Sequence, residues 1–276
     1  MGRPFRVLAL GALAALACGG DSNTGPIVVP FGETTFVVVV NPVVNDANQA
    51  SLPALPGSAR AGVTVSVTGG PSGTTDASGV VVLTPVIGGS KVVALNGGGS
   101  SGQLTVSIAE RDLRELAVAL DGTTASLMAN VQYAFGGTVV EVTPAMSLAE
   151  VNAQLARSNI IVFFRAGSYT GNLNFSGSSV TMFGEGAQGG SVTLSGNVQV
   201  TGSLNRIRGA RITGTLTVPG SDFGMSFSRV QGAVSISGSD ATLLNNAFCT
   251  VPAITGSGTT ALGNAGMAPI GQPSGC

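Results

Sequence analysis

Apolar residues fall along this 276-residue chain in two different rhythms. The first occupies the N-terminal half. Short runs of alternating or β-branched apolar residues at 35–40, 63–68, 79–86, 91–95, 104–109 and 116–120 read as strands. Turn clusters at 69–73, 88–90 and 96–99, rich in Gly and Ser, separate them. Even strand spacing with such turns predicts an antiparallel β-sandwich over 31–121, followed by a connector over 122–146. The charged stretch 110–115 is expected to be a solvated strand edge that discourages pairing, with a helical turn as the other reading.

The second rhythm is a repeat of 18 residues, beginning at Gly196, Gly214 and Gly232. Four columns are apolar throughout: Val198, Leu216, Val234; Val200, Val218, Ile236; Ile207, Met225, Leu243; and Ile212, Val230, Phe248. A Gly-Ser pair recurs at 202–203, 220–221 and 238–239. An earlier copy starts at Gly171, with its extra residues in the 184–191 loop. A fixed period of this size marks a solenoid, because one repeat cannot bury its apolar residues and stacked repeats can. The reading is a short parallel β-helix over 147–249, expected to be right-handed.

Ser147 and Glu150 have capping-box spacing, and Leu148, Val151 and Leu155 follow at helical spacing. A helix there would stand in for the first strand of an incomplete coil and cap the stack, placing Phe164 and Tyr169 in the third and fourth apolar columns. Residues 250–276 leave the repeat and are expected to cover the far end. The overall class is therefore all-β.

Composition agrees with that class. Charged residues are 9% of the chain and Gly numbers 42, which suits strands and tight turns better than helices. There is no histidine, so the commonest general base and metal ligand are missing, and no cofactor or metal is implied. No basic face is clustered enough to suggest a nucleic-acid partner.

At the N-terminus, Arg3 and Arg6 precede an eleven-residue apolar run, 7–17, too short to span a bilayer. It ends in Ala15-Leu16-Ala17-Cys18, which resembles the lipobox of bacterial lipoproteins, although Ala15 stands where Leu is usual. The resemblance implies cleavage after residue 17, lipid on Cys18 and export, with Gly19 favouring the outer membrane. An ordinary signal peptide is the alternative. Cleavage would remove two arginines and leave 10 basic against 13 acidic residues. Residues 18–30 would then form a lipidated tether with a mean reach of roughly 20 Å.

Two further resemblances concern the folded parts. Thr75-Asp76-Ala77-Ser78-Gly79, the valines after it and Gly88-Gly89-Ser90 resemble the carboxypeptidase-regulatory, or transthyretin-like, sandwich, which implies a spacer and no catalysis. The run from Ser147 to Gly186, with Gly167, Tyr169 and Gly171, resembles the opening of pectin-lyase-like β-helix proteins, whose enzymes build sites on the outer coil face.

Two outer-face constellations were candidates for chemistry. Asp222 and Asp240 share a column about 5 Å apart, so they are a possible cation site or acid pair, or else repeated turn residues. Arg206 and Arg208 flank inward Ile207, Arg165 is expected in the column of Arg208, and Arg211 stacks with Arg229. These five arginines form a possible anion- or glycan-binding face, or simply a solvated one. Outside the cytoplasm Cys249 and Cys276 are expected to pair; two unpaired thiols are the alternative. No nucleophile–base pair is available, and Glu185 is a lone carboxylate.

The leading expectation is a membrane-anchored, non-enzymatic lipoprotein with a structural role or a polysaccharide or surface-protein partner. Alternatives are a carbohydrate-active enzyme of the pectin-lyase type and an assembly subunit that polymerises through an open coil end.

Overall fold

The computed structural model describes residues 30–45, 61–134, 137–186 and 190–276. The leader, Cys18 and the tether before Pro30 lie outside the described residues. The regular structure of the described chain is almost all strand, in antiparallel and mixed sheets first and parallel sheets afterwards.

The first part has β1 (Thr35–Val40), β2 (Thr64–Val67), β3 (Ser72–Thr74), β4 (Val80–Leu83), β5 (Gly89–Gly97), β6 (Ser100–Ile108), β7 (Asp112–Asp121) and β8 (Thr124–Ala134). They form two four-stranded sheets, ordered β4-β1-β7-β8 and β3-β2-β5-β6. Phe36, Val38, Leu116 and Val118 of the first meet Val65, Val93, Leu95 and Val106 of the second in one buried cluster. Most pairings are antiparallel, as expected. β1 and β7 instead run parallel, with Thr35 opposite Leu113 and Val40 opposite Val118. The long chain between them is what permits this, since a parallel pair cannot be closed by a hairpin.

Two expectations fail here. The segment 122–146 is not a plain connector, because it supplies β8 and β9 (Thr138–Val142). The stretch 110–115 is not a solvated edge either. It enters β7, a central strand, where Asp112 and Glu115 are buried.

Past β9 the chain forms the helix α1 (Leu148–Leu155) and then three parallel sheets. Successive repeats contribute one strand to each. Leu173 pairs with Val198, Val198 with Leu216 and Leu216 with Val234 in one sheet. Met182, Ile207, Met225 and Leu243 align in a second. Tyr169, Leu194, Ile212, Val230 and Phe248 align in the third. All of these side chains lie in one buried cluster. Phe164 is buried as well, but it aligns with Gly184, and Val162 takes the place expected for it opposite Met182.

The repeated glycines have a steric cause. A Cβ on Gly202, Gly220, Gly238 or Gly256 would lie 1.9–2.1 Å from the carbonyl oxygen of the glycine one repeat earlier. Backbones stack so closely at this corner that a side chain cannot fit. Beside it runs a ladder of left-handed residues: Asn159, Ser179, Leu204, Asp222 and Asp240, with φ between 55° and 61°, then Gly258. Asn and Asp tolerate that conformation, and Leu204 holds it at a steric cost.

Both ends of the stack are closed by other parts of the chain. At the start the capping box forms: Ser147 Oγ accepts from the Glu150 N–H, and the Glu150 carboxylate accepts from the Ser147 N–H. Asn152 then imitates a strand. Its side-chain amide donates to the Asn172 carbonyl at 3.1 Å, and its oxygen accepts from the Asn174 N–H at 2.8 Å.

At the far end, residues 250–276 do not simply cover the stack. Ala253–Ile254 and Thr260–Leu262 continue the repeat by another turn. The edge beyond is met by a segment from the N-terminal half, where Val44 bridges antiparallel to Leu262 and the Asn45 N–H donates to the Ala261 carbonyl. The Asn45 side chain is the last rung of a buried asparagine ladder with Asn246 and Asn264.

The two halves also share a core. Ile161, Phe163, Phe183, Phe227, Leu244 and Leu262 face out of the parallel stack, yet they are buried against Val37, Val39, Leu113, Ala117, Val131 and Tyr133 of the β4-β1-β7-β8 sheet. The runs TFVVVV and IIVFF are apolar without alternation because each strand is covered on both faces.

Candidate functional site

That shared core decides where the arginines go. Arg208 leaves the stack outward, as its spacing implies, but it ends under the neighbouring sheet and is 1% exposed. Its Nε donates to Glu115 at 2.6 Å, and its guanidinium lies over the rings of Phe183 and Phe227. A solvent-facing role for Arg208 in anion or glycan binding is therefore corrected: it is an internal ion-pair partner. The continuous apolar run at 160–164 was the signal that this sheet is covered.

Arg165 does not share the column of Arg208, which contains Phe163 and Phe183 instead. It lies just past its strand, between two carboxylates. Nε donates to Glu141 at 2.7 Å, Nη1 to Glu185 at 2.8 Å, and the guanidinium lies 5.1 Å from the Phe163 ring centre. The bond from Arg165 holds the Glu141 carboxyl below its ordinary range. Glu185 is held low first by the Ala166 N–H and then by Arg165. Glu185 is thus not a lone carboxylate, and Arg165 is already occupied.

The remaining arginines are divided. Arg206 is partly buried and donates to the carbonyls of Asn205 and Asp222, and burial pulls its pKa down. Arg211 and Arg229 are register neighbours, as expected. Arg229 turns to the chain end, donating to the Ser274 carbonyl and lying 3.7 Å from the Cys276 sulfur. Cys276 and Cys249 form a disulfide with Cα atoms 5.3 Å apart.

Asp222 and Asp240 occupy adjacent rungs of the left-handed corner, and their N–H groups donate to the carbonyls of Ser239 and Ser257. Their backbone conformation accounts for both being Asp. No group of three His, Cys, Asp or Glu able to hold a metal occurs among the described residues. No described helix is long and apolar enough to cross a membrane.

One further surface lies outside the charged constellations, because it has no charge. The sheet built from Leu173–Phe175, Val198–Val200, Leu216–Val218, Val234–Ile236 and Ala253–Ile254 turns Asn174, Gln199, Thr217, Ser235 and Ala253 outward in register. The flanking columns are Asn172, Asn197, Thr215, Ala233, Val251 and Ser176, Thr201, Pro219, Ser237, Thr255. All fifteen side chains are exposed and none is charged. Strand geometry makes this grid about 20 Å along the stack and about 13 Å across. Asn side chains brace it, as the Asn197 and Thr215 N–H groups donate to the side-chain oxygens of Asn172 and Asn197. The signal was available in the sequence as uncharged residues, eleven of the fifteen polar, alternating with the first two apolar columns.

No family model and no curated protein matches the chain. A chain of the crystal structure of a type II Cohesin-X-Dockerin complex from Acetivibrio cellulolyticus is similar over 34% of this chain, at 20% identity and a TM-score of 0.23. The match spans 58% of that chain, and a likeness this slight carries no inference about fold or binding.

Proposed function

We propose that the protein is an exported, lipid-anchored and non-enzymatic binding protein that holds a neutral polysaccharide chain against its flat uncharged face. In this reading the parallel region is a short right-handed β-helix and the two-sheet region a sandwich that serves as its spacer. Lipid on Cys18 tethers both to the outer membrane.

The observation that carries the reading is the grid of fifteen uncharged side chains. Its hydroxyls and amides suit the hydroxyls of a sugar polymer, and it offers no charge to an acidic or basic partner. Its area of roughly 260 Å² is a third of the ~800 Å² that each side of a stable protein–protein interface covers. A narrow chain suits it better than a globular protein.

A non-enzymatic role is supported by the ion triad. The donors of Glu141 and Glu185 lower the pKa of both, the opposite of the raised pKa that a glycosidase's general acid needs, so this triad does not offer that acid.

The test is retention of the full chain on insoluble neutral glucans and mannans, assayed alongside release of reducing ends. Binding without turnover, reduced by Gln199→Ala with Thr217→Lys, is the expected result. Turnover, or retention indifferent to those changes, would sink the reading.

A further inference from the structure

A second site lies where the two halves meet, apart from the uncharged face. Phe31, Val139, Glu141, Phe163, Arg165, Phe183, Glu185 and Gly186 line an open cleft of about 480 Å³. That volume falls in the range of small-molecule sites, about 300–1,000 Å³.

Its chemistry is two-sided. One wall is aromatic: Phe31 stacks on Phe163 with ring centres 4.3 Å apart and meets Phe183 at 5.4 Å. The other wall is the triad of Glu141, Arg165 and Glu185, which carries a net charge of −1. The ionised carboxylates are acceptors only, and each oxygen bonded to Arg165 or to the Ala166 N–H has a second lone pair. The rings themselves are taken, since Phe163 has Phe31 stacked on it and the guanidinium of Arg165 over it, and Phe183 has Arg208 over it, so this wall offers apolar surface.

The geometry points to an organic ammonium ion on a small apolar body as the occupant. The cationic head meets the two carboxylates, and the body lies on the phenyl wall. An anion is repelled by the same groups, and a neutral molecule of the same shape gains only the apolar contact. This site does not depend on the polysaccharide reading of the other face.

The test uses the full chain and three probes of one shape: phenethylamine, phenethyl alcohol and phenylacetate, followed by NMR shifts of the cleft residues. A short chitosan oligomer forms a fourth arm and distinguishes a polymer-borne amine from a free one. Phenethylamine alone of the three is expected to shift the cleft residues. Glu141→Gln removes the net charge and is expected to weaken that binding about tenfold or more. Val139→Lys, at an exposed position on the rim, is expected to abolish it without disturbing the core. Equal shifts from the alcohol, preference for phenylacetate, or no shift from any of the three at millimolar concentration would overturn the assignment.

Discussion

The guanidinium of Arg208 and the carboxylate of Glu115 meet at 2.6 Å across the boundary between the two halves, with side chains 1% and 0% exposed. Beside them the Tyr133 hydroxyl lies 2.5 Å from Ser226 Oγ, and burial raises the Tyr133 pKa far above its ordinary value. The pair is incompletely satisfied: Glu115 Oε2 and Arg208 Nη2 have no hydrogen-bond partner among the described residues.

Removing one partner leaves a bare buried charge, so Arg208→Met or Glu115→Leu alone is expected to cost about 3–5 kcal/mol. Replacing both with apolar residues of similar size removes the desolvation penalty too. The double variant should return to near the parent stability or exceed it. Urea unfolding of the three variants checks this, and a strictly additive double variant would contradict it.

Asn152 carries a second expectation. Its one side chain makes both hydrogen bonds that a neighbouring strand would otherwise offer at residues 172–174. Asn152→Ala is expected to destabilise by about 1–3 kcal/mol, from two bonds worth roughly 0.5–1.5 kcal/mol each. Asn152→Asp keeps the acceptor and loses the donor, and should cost less than Asn152→Ala. Amide exchange at Asn174 reports the edge directly. It should accelerate in Asn152→Ala and stay close to the parent in Asn152→Asp.

How legible this was from the chain depends on where each partner sits in sequence. Stacked columns such as Leu216 beside Val234 were plain, because period and spacing are local. The capping box was plain for the same reason. The covering of Arg208 by Glu115 joins residues 93 positions apart, and alternation alone assigns Arg208 to solvent. Its warning was the unbroken apolar run at 160–164. The closure by Asn45 joins positions 219 apart, and no pattern around residue 45 announces it. The last repeat was missed because its columns hold Pro252, Ala261 and Gly266 where earlier repeats hold larger apolar residues. β8 was missed because it is mostly exposed and only Val131 and Tyr133 are buried. For the site, charge was a poor guide: the arginines are largely taken by internal partners, and the fifteen-residue outer grid of the parallel sheet has no charge.

Acid should weaken the start of the stack. Glu141, Glu150 and Glu185 all have folded pKa values below the ordinary 4.5, set first by Arg165, the Ser147 hydroxyl and the Ala166 N–H respectively. A depressed carboxylate contributes stability that is fully present above its unfolded pKa and lost as pH falls through its folded pKa. Stability is therefore expected to be flat above about pH 5 and to decline below about pH 4. Arg165→Met removes a donor from two of the three groups, so its decline should be shallower. Chemical unfolding at a series of pH values measures both slopes, and parallel slopes for parent and variant would show that the triad does not contribute.

The disulfide and Asn45 hold the same final repeat from two sides. Cys249 and Cys276 are 27 residues apart, and the loop they close contains Ala253–Ile254, Thr260–Leu262 and Asn264. Chain-entropy arguments give such a crosslink about 3–4 kcal/mol. Cys249→Ser with Cys276→Ser frees the chain end, but Asn45 still accepts from the backbone and side-chain N–H groups of Asn264. Asn45→Ala alone leaves the crosslink in place while orphaning a buried amide. Each change is therefore expected to be tolerated, with faster amide exchange at Leu262 and unchanged exchange at Leu216, deep in the stack. Together they remove both restraints on one rung. The combined loss should then differ from the sum by 0.5 kcal/mol or more, roughly the threshold for coupled sites. Simple additivity would mean that the two ends of this clamp act on separate units.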